Sequence, residues 1–181
     1  ENQFLWSPEI ADVLVDKLRN PPADDFRLVV VLPARPNDGA DDTRGQLGVL
    51  ADADDGNERF LAATLHTRTA DLTGPMYVHA KVGIVDDRWL TVGSANLNEH
   101  SLFNDSEMNV VTCDEALARD TRLRLWSEHL DRDADGEPCE VIDELWRPSA
   151  FDETGRLRAL PGVSRRAAAL RGPLQSLVVD G

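Results

Sequence analysis

The sequence predicts an α/β fold in which a mixed β-sheet is flanked by helices. Short runs rich in β-branched residues alternate with amphipathic stretches through residues 1–130, which is typical of strands and helices packed in layers. Clusters of Pro, Gly, Asn and Asp separate these runs, as expected of turns. The pattern changes at Asp131. We therefore expect one lobe over residues 1–130 and a C-terminal extension, residues 131–181, that packs on the same lobe.

The first half of the chain predicts two helices and two strands. Apolar residues at helical spacing follow Ser7-Pro8, which favours a helix with Ser7 as its N-cap and Pro8 in the first position. Asn20-Pro21-Pro22 ends that helix, because proline cannot continue one. Residues 26–32 are dense in Val, which predicts a buried strand. The pattern further predicts a turn-rich loop over 36–42, a helix over 43–53 and a strand over 61–67.

The second half predicts three more strands and a long helix. Two strand-like runs, residues 77–85 and 89–92, are joined by a tight turn at Asp86-Asp87. Residues 108–112 form a further β-type run, and the apolar positions between 114 and 130 favour a helix. Beyond them we expect a loop, a short helix over 141–146 and a mostly irregular tail over 151–181.

Charge limits the classes of partner. The formal net charge is −14, and Lys17 and Lys81 are the only lysines. A negative field repels polyanions, and non-specific nucleic-acid binding rests on cations that neutralise phosphates. The composition therefore disfavours nucleic acid as a partner, although it leaves room for a local basic pocket.

The length of the apolar segments and the number of cysteines limit where in the cell the protein can act. No segment reaches the length needed to cross a bilayer, and no signal-peptide pattern opens the chain. We expect contact with membranes to be peripheral and favour a cytoplasmic or peripheral membrane location, with secretion not excluded. Cys113 and Cys139 are too few for a disulfide framework, and we expect two buried free thiols rather than one bridge.

Residues 79–107 carry the chemistry-bearing pattern. Side chains two apart on a strand share a face, which places His79 beside Lys81, with Gly83 next and leaving room for a ligand. Ser94 and Asn96 have the same relation if extended. A hairpin between the two runs would bring the four polar groups together. An ammonium and oriented donors suit a phosphate, and an imidazole can attack phosphorus or move protons. Taken alone, His79 and Lys81 would be an ordinary surface pair, and Ser94 and Asn96 would be part of a turn.

The joint spacing is more specific than its parts. The pattern His79-x-Lys81, four residues, Asp86, six residues, Gly93-Ser94-x-Asn96 fixes six residues over 18 positions. It resembles the signature of the phospholipase D superfamily, often written HKD. Residues 1–4 and the run from Gly93 to Glu107 resemble the second signature copy of eukaryotic-type phospholipases D. The resemblance implies a phospholipase D-type lobe.

The resemblance also implies a role for each residue. His79 resembles the histidine that becomes a covalent phosphohistidine, and Lys81 and Asn96 resemble the groups that hold the non-bridging oxygens, with Ser94 assisting. Glu107 lies where related enzymes carry a carboxylate that orients the histidine, and Asp105 is the second candidate. Strand alternation points Asp86 away from the phosphate, so we expect a structural role for it. The family chemistry needs neither a metal nor a cofactor.

The family site needs two signature copies, and this chain carries one. The second would come from an N-terminal HKD lobe of the same polypeptide or from a second copy of this chain. The absence of an initiating Met and the likeness to the second copy favour the C-terminal half of a two-lobe enzyme. We expect it to cleave the distal phosphodiester bond of a glycerophospholipid at a membrane surface. Three alternatives stay open: a cardiolipin or phosphatidylserine synthase-type transferase, a homodimeric nuclease and a non-catalytic lobe.

Overall fold

A computed structural model describes residues 7–34, 40–68, 72–98, 100–152 and 154–160. The segment resembling the start of the second signature copy, residues 1–4, most of the predicted loop over 36–42 and the end of the predicted tail lie outside the described residues. Within those ranges the strands are β1 (Leu28–Val31), β2 (Phe60–Arg68), β3 (Thr73–Pro75), β4 (Lys81–Val85), β5 (Trp89–Gly93), β6 (Asn109–Thr112) and β7 (Leu157–Ala159). The helices are α1 (Pro8–Arg19), α2 (Ala40–Asp54), α3 (Glu115–Leu130), α4 (Pro138–Val141) and α5 (Arg147–Ala150).

The helices form close to where the sequence predicts them. The prediction of a loop is wrong over residues 40–42, because α2 already begins at Ala40, and the predicted cap of α1 is also absent. Ser7 precedes α1 in extended conformation, but its hydroxyl donates to the Glu9 carboxylate (2.7 Å) and caps no helical N–H. Asp114 does cap α3, because its Oδ1 atom accepts from the N–H of Leu117 (3.0 Å). The predicted short helix over 141–146 is longer, since a π-helical turn at Ile142–Trp146 joins α4 to α5.

The mixed sheet consists of β1, β2, β3 and β7. Its centre is β2, which pairs in parallel with β1 and antiparallel with both β3 and β7. The prediction of an irregular tail is wrong over residues 157–159, because these residues pair with Ala63–Leu65 of β2. The pairing places Leu157, which is 1% exposed, against the core. Of the run over 26–32 that we predicted as a buried strand, only Leu28–Val31 form β1, and these four residues are half-buried.

The hairpin sheet consists of β4, β5 and β6, all antiparallel. The tight turn at Asp86-Asp87 is confirmed: the N–H of Arg88 donates to the carbonyl oxygen of Val85 (2.9 Å), and the two central residues of this turn have positive φ angles (52° and 53°). The predicted strand over 77–85 begins only at Lys81, so His79 precedes the strand. Lys81 pairs with Gly93, and Gly93 pairs with Asn109, which forms one cross-strand row at the start of β4.

Two apolar clusters form the interior. One lies around α1, α2 and β1 and contains Leu18, Leu47 and Leu50. The other packs β2 and β7 against the helical segment that follows α3, and its centre is Trp146 (1% exposed). Trp126 and His129 meet the Trp146 ring edge-on, with ring centroids 5.3 and 5.7 Å apart. The described part of residues 131–160 therefore shares a core with β2.

A buried ion pair ties α3 to the hairpin turn. The Arg122 guanidinium donates two hydrogen bonds to Asp87 (2.7 and 2.8 Å), and the Arg122 side chain is only 3% exposed. The guanidinium also lies 4.7 Å from the centre of the Trp126 ring. Bidentate pairing of this kind fixes orientation as well as distance, so it sets how the hairpin sheet lies on α3.

Two remaining expectations concern the thiols and membrane spans. Cys113 is exposed and Cys139 half-buried, so the prediction that both are buried is wrong, while both are free thiols as predicted. Among the residues that the structure describes, no helix is long and apolar enough to cross a membrane.

Candidate active site

The hairpin sheet brings three separate chain segments to one end. β4 begins at Lys81, β5 ends at Gly93 and β6 begins at Asn109, and these three residues are paired across the sheet. Because neighbouring strands run in opposite directions, residues just before β4, just after β5 and just before β6 meet at the same edge. His79, the segment from Ser94 to Asn96 and Glu107 occupy those positions.

His79 and Lys81 touch. The Lys81 Nζ atom lies 3.0 Å from His79 Nε2 and 2.9 Å from the carbonyl oxygen of His79. An ammonium group only donates, so this contact needs an unprotonated Nε2 atom, which is the form that can act as a nucleophile. The His79 side chain is exposed, and the Tyr77 ring stacks beside it at a centroid distance of 6.0 Å. The two side chains lie side by side as predicted, although His79 precedes β4 and does not share a strand face with Lys81.

Ser94 joins the end of β5 to the start of β6. Its Oγ atom accepts from the N–H of Met108 (3.0 Å), while its own N–H donates to the carbonyl of Met108 (3.0 Å). The Ser94 hydroxyl, which lies 3.5 Å from the carbonyl oxygen of Met108, is also the largest cause of the lowered pKa of the Glu107 carboxylate. A second serine, Ser101, and the charge of Lys81 lower the Glu107 pKa further. Glu107 therefore stays negatively charged at pH values at which an ordinary glutamate side chain would already be protonated.

Asn96 reaches the same carboxylate through Ser101. The Asn96 Nδ2 atom donates to Ser101 Oγ (3.3 Å), and Ser101 Oγ donates to Glu107 Oε1 (2.8 Å). Sequence reasoning missed Ser101, because a serine six residues before a glutamate has no fixed spatial relation to it in an irregular segment. Only the π-helical turn at His100–Asn104 places the hydroxyl there.

Gly93 is required by close packing. A Cβ atom at this position would come within 2.4 Å of the Met108 carbonyl oxygen and closer still to the Asn109 side chain. The Asn109 amide also holds the site segment, because its Oδ1 atom accepts from the N–H of Ala95 (3.2 Å) and its Nδ2 atom donates to Thr91 (3.3 Å). Asn109 is a second residue that sequence reasoning missed.

The open space that we predicted above Gly83 is not there. A Cβ atom at Gly83 would meet the Thr91 methyl group at 3.1 Å and the Trp89 ring at 3.4 Å. These residues belong to the same face as Gly83, so the glycine accommodates neighbouring side chains of β5 and leaves no room for a ligand. The position of a glycine on a strand does not reveal what its neighbours place over it.

Asp86 lies far from the site. It is exposed at the turn between β4 and β5, about 16 Å along the strand from Lys81 at the usual rise per residue. Asp86 is therefore too far along β4 to contact a phosphate held beside Lys81. The structural role was predicted for Asp86, but the bidentate pair with Arg122 is made by the next residue, Asp87.

The site is bordered by exposed apolar side chains. The segment between β5 and β6, which carries Ser94, Asn96 and Glu107, also exposes Leu97, Leu102, Phe103 and Met108. Phe103 is 67% exposed and Met108 78% exposed. Within the described ranges, no group of three or more His, Cys, Asp or Glu side chains is arranged to hold a metal ion.

The arrangement suits a tetrahedral anion. Lys81 supplies positive charge, Asn96 supplies an oriented amide and His79 supplies a ring nitrogen beside that charge. The Glu107 carboxylate, which accepts from the Ser101 hydroxyl, lies next to them. Donors fixed before a ligand arrives stabilise developing charge more effectively than water does, because they need no reorganisation.

Comparison with known proteins identifies the lineage. A family model described as "Cardiolipin synthase, PLD-like domain" matches residues 13–127. Phospholipase D zeta 1 of Arabidopsis thaliana is 36% identical over a match that covers 45% of this chain and 10% of the relative. Phospholipase D A of Dictyostelium discoideum is 42% identical over 33% of this chain and 6% of the relative. Phospholipase D alpha 1 of Cynara cardunculus is 32% identical over 50% of this chain and 15% of the relative. The chain thus spans a small fraction of these relatives.

Proposed function

Because the chain belongs to the phospholipase D superfamily, we propose that it is one catalytic lobe of a phosphodiesterase that cleaves the distal phosphodiester bond of glycerophospholipids. The observation that carries the proposal is the contact of His79 Nε2 with Lys81 Nζ (3.0 Å) at the edge of the sheet where Ser94, Asn96 and Glu107 converge. The products are phosphatidic acid and a head-group alcohol.

The proposed reaction has two displacement steps. His79 Nε2 attacks phosphorus, a P–N bond forms, and the bond from phosphorus to the head-group oxygen breaks. The leaving oxygen takes a proton from the histidine of a second signature copy. Water or another alcohol, deprotonated by that second histidine, then attacks phosphorus and releases His79. Transfer to an added alcohol follows the same route, because the intermediate does not distinguish the incoming oxygen.

Lys81 and Asn96 act on the phosphate oxygens in this proposal. Lys81 offsets the negative charge of the non-bridging oxygens, and the Asn96 amide donates to one of them. Ser94 assists them by turning its hydroxyl to a phosphate oxygen. Glu107, whose pKa the charge of Lys81 helps to lower, orients His79. The second signature copy belongs to an N-terminal lobe of the same polypeptide or to a second copy of this chain.

The apolar border of the site supports a lipid as the substrate. Leu97, Phe103 and Met108 lie on the segment that carries the phosphate-binding side chains. An amphiphile offers an apolar surface next to its phosphodiester, whereas a nucleic acid surrounds its phosphodiesters with further anions. A chain with a net charge of −14 is better suited to the first. Contact with the membrane is peripheral in this proposal.

The experiment measures choline release and phosphatidylethanol formation from short-chain phosphatidylcholine with added ethanol, by the polypeptide that supplies both signature copies. His79→Gln should abolish both products. The matched control is His66→Gln, which changes a histidine of β2 in the other sheet and should leave both products unchanged. Equal activity of the wild type and His79→Gln would contradict the proposal. The isolated chain, assayed beside it, shows activity only if two copies complete one site.

Head-group transfer is the second candidate, because the matching family model carries the description of a cardiolipin synthase. The same covalent intermediate would then be resolved by the hydroxyl of a second lipid. Phosphatidylglycerol as the only substrate separates the two functions: a transferase converts it into cardiolipin and glycerol, whereas a phospholipase gives phosphatidic acid and glycerol.

A further inference from the structure

One hydroxyl group is shared between two side chains of the site. Ser101 Oγ accepts from Asn96 Nδ2 (3.3 Å) and donates to Glu107 Oε1 (2.8 Å). Ser101 is 6% exposed, so water does not readily replace either bond. Because the hydroxyl carries a single proton, donation to Glu107 leaves its lone pairs for Asn96.

The Ser101 hydroxyl is itself held in place. The backbone N–H of Ser101 donates to Asn98 Oδ1 (2.8 Å), and the N–H of Leu102 donates to the Asn98 carbonyl (3.0 Å). Asn98 is 2% exposed. These bonds fix the first turn of the π-helical segment His100–Asn104 against the segment after β5 that carries Asn96. The position of Ser101 is therefore fixed by hydrogen bonds of its own backbone and of the next residue to Asn98.

The bond to Ser101 is what orients the Asn96 amide. The Asn96 Oδ1 atom is buried and has no hydrogen-bond partner within the part of the chain that the structure describes. The Nδ2 end of the amide is therefore the anchored one, with one N–H on Ser101. Its second N–H can then be directed to a phosphate oxygen, since a carboxamide nitrogen has two donors.

We propose that Ser101 is a positioning residue that couples the orientation of Asn96 to the charge of Glu107, an inference that rests on the proposed function of this site. While Glu107 is ionised, the Ser101 hydroxyl points to the carboxylate and its lone pairs hold the Asn96 amide. When Glu107 takes up a proton, the carboxyl no longer requires that donor, and the hydroxyl is released from its orientation. The Asn96 amide is then oriented less well and binds the phosphate more weakly, at the same pH at which Glu107 loses its charge.

The electrostatics of the site agree with this coupling. The Ser94 and Ser101 hydroxyls and the charge of Lys81 all lower the pKa of Glu107, so the coupled state is the one present near neutral pH. Removing the Ser101 hydroxyl should raise the Glu107 pKa, because one of these stabilising donors is lost.

The test compares Ser101→Ala with Ser101→Thr, which keeps the hydroxyl, and with Ser106→Ala, which removes an exposed hydroxyl from the same segment. Lipid turnover is measured on the polypeptide with both signature copies. We expect kcat to fall about 100-fold in Ser101→Ala, as misplacement of a positioned group does. The acid limb of its pH–rate profile should move to higher pH. Ser101→Thr should recover most of the rate, and Ser106→Ala should match the wild type.

Two further measurements on this chain do not depend on turnover. Carbon-13 NMR of the glutamate carboxyls reports the Glu107 pKa, with Glu107→Gln identifying its signal, and calorimetry reports the affinity for inorganic phosphate. Ser101→Ala should raise the pKa and weaken phosphate binding. If the wild type cleaves no phospholipid but these two shifts occur, the proposed function fails and the coupling stands. An unchanged Glu107 pKa with unchanged phosphate affinity overturns the coupling, as does a rate loss matched by unfolding at the assay temperature.

Discussion

The mixed sheet and the hairpin sheet differ in how much of each is buried. In the mixed sheet Leu61, Ala63, Leu65 and Leu157 are all between 0% and 4% exposed. In the hairpin sheet the paired row Val82, Val92 and Val110 is 38%, 45% and 69% exposed, and Leu90 is the buried member of its described residues. Burial of apolar surface is the main source of stability. Stability therefore concentrates in the mixed sheet, and the site lies where little stability depends on its side chains.

The largest expected effect tests whether the mixed sheet provides most of the stability. Trp146→Ala removes the centre of the core around β2, and we expect it to lower the free energy of unfolding by about 3–5 kcal/mol, measured by urea denaturation. Phe151→Ala is the control, since Phe151 is 70% exposed, and it should change that free energy little. A similar, small loss in both variants would show that the core is not centred on Trp146.

The second prediction tests the hairpin sheet, which carries the candidate active site. Lys81→Ala should lower turnover by roughly 100- to 1000-fold, because the main positive charge that offsets the negative phosphate oxygens is lost. The free energy of unfolding should stay unchanged, since Lys81 lies at the edge of the hairpin sheet. Lys17→Ala, the other lysine of the chain and exposed on α1, serves as the control. Near-normal turnover of Lys81→Ala would remove Lys81 from the site.

The third prediction concerns the ion pair between α3 and the hairpin turn. Asp87→Asn leaves the Arg122 guanidinium buried without its counter-charge, which should cost about 3 kcal/mol of unfolding free energy. Asp86→Asn is matched to it, because both residues have positive φ angles and asparagine tolerates them equally well. This variant should change stability by less than about 0.5 kcal/mol. The reverse order would return the structural role to Asp86.

The fourth prediction isolates the carboxylate of the site. Glu107→Gln should slow turnover about 10- to 100-fold and leave the chain folded, because the amide keeps the shape but not the charge beside Lys81. Circular dichroism checks the fold, and initial rates check turnover. If the rate does not change, the orienting role passes to Asp105, and Asp105→Asn becomes the variant to measure.

The smallest effect is a pH dependence that comes from the core and not from the site. Burial is the main cause of the lowered pKa of His129, to which the Arg156 charge also contributes, while Glu128 acts in the opposite direction. A lowered pKa means that the unfolded chain binds the proton more readily, so stability is full above the ordinary value of 6.5 and declines as the pH falls below it. Denaturation at about pH 7 and about pH 5 should show this decline, and less of it in His129→Phe. An identical decline in both proteins would assign it to His66, whose pKa is also lowered by burial.

Local pattern determined the elements and most of the candidate site. The helix after Ser7, the turn at Asp86-Asp87 and the helix capped by Asp114 follow from interactions within a few residues, which the sequence displays directly. The pairing of His79 with Lys81 follows from the two-residue period of an extended chain. The sequence also specified the family through the fixed offsets between these residues.

Only the tertiary structure decided the features that depend on long-range contacts. The pairing of β7 with β2, the choice of Asp87 as the partner of Arg122 and the filling of the space above Gly83 join parts of the chain that are distant in sequence or crossed by a neighbouring strand. Ser101 belongs to the same group, since its hydroxyl reaches Glu107 only through an irregular turn. Short-range preferences act along the chain, whereas these contacts depend on how separate segments meet, and no local pattern encodes that meeting.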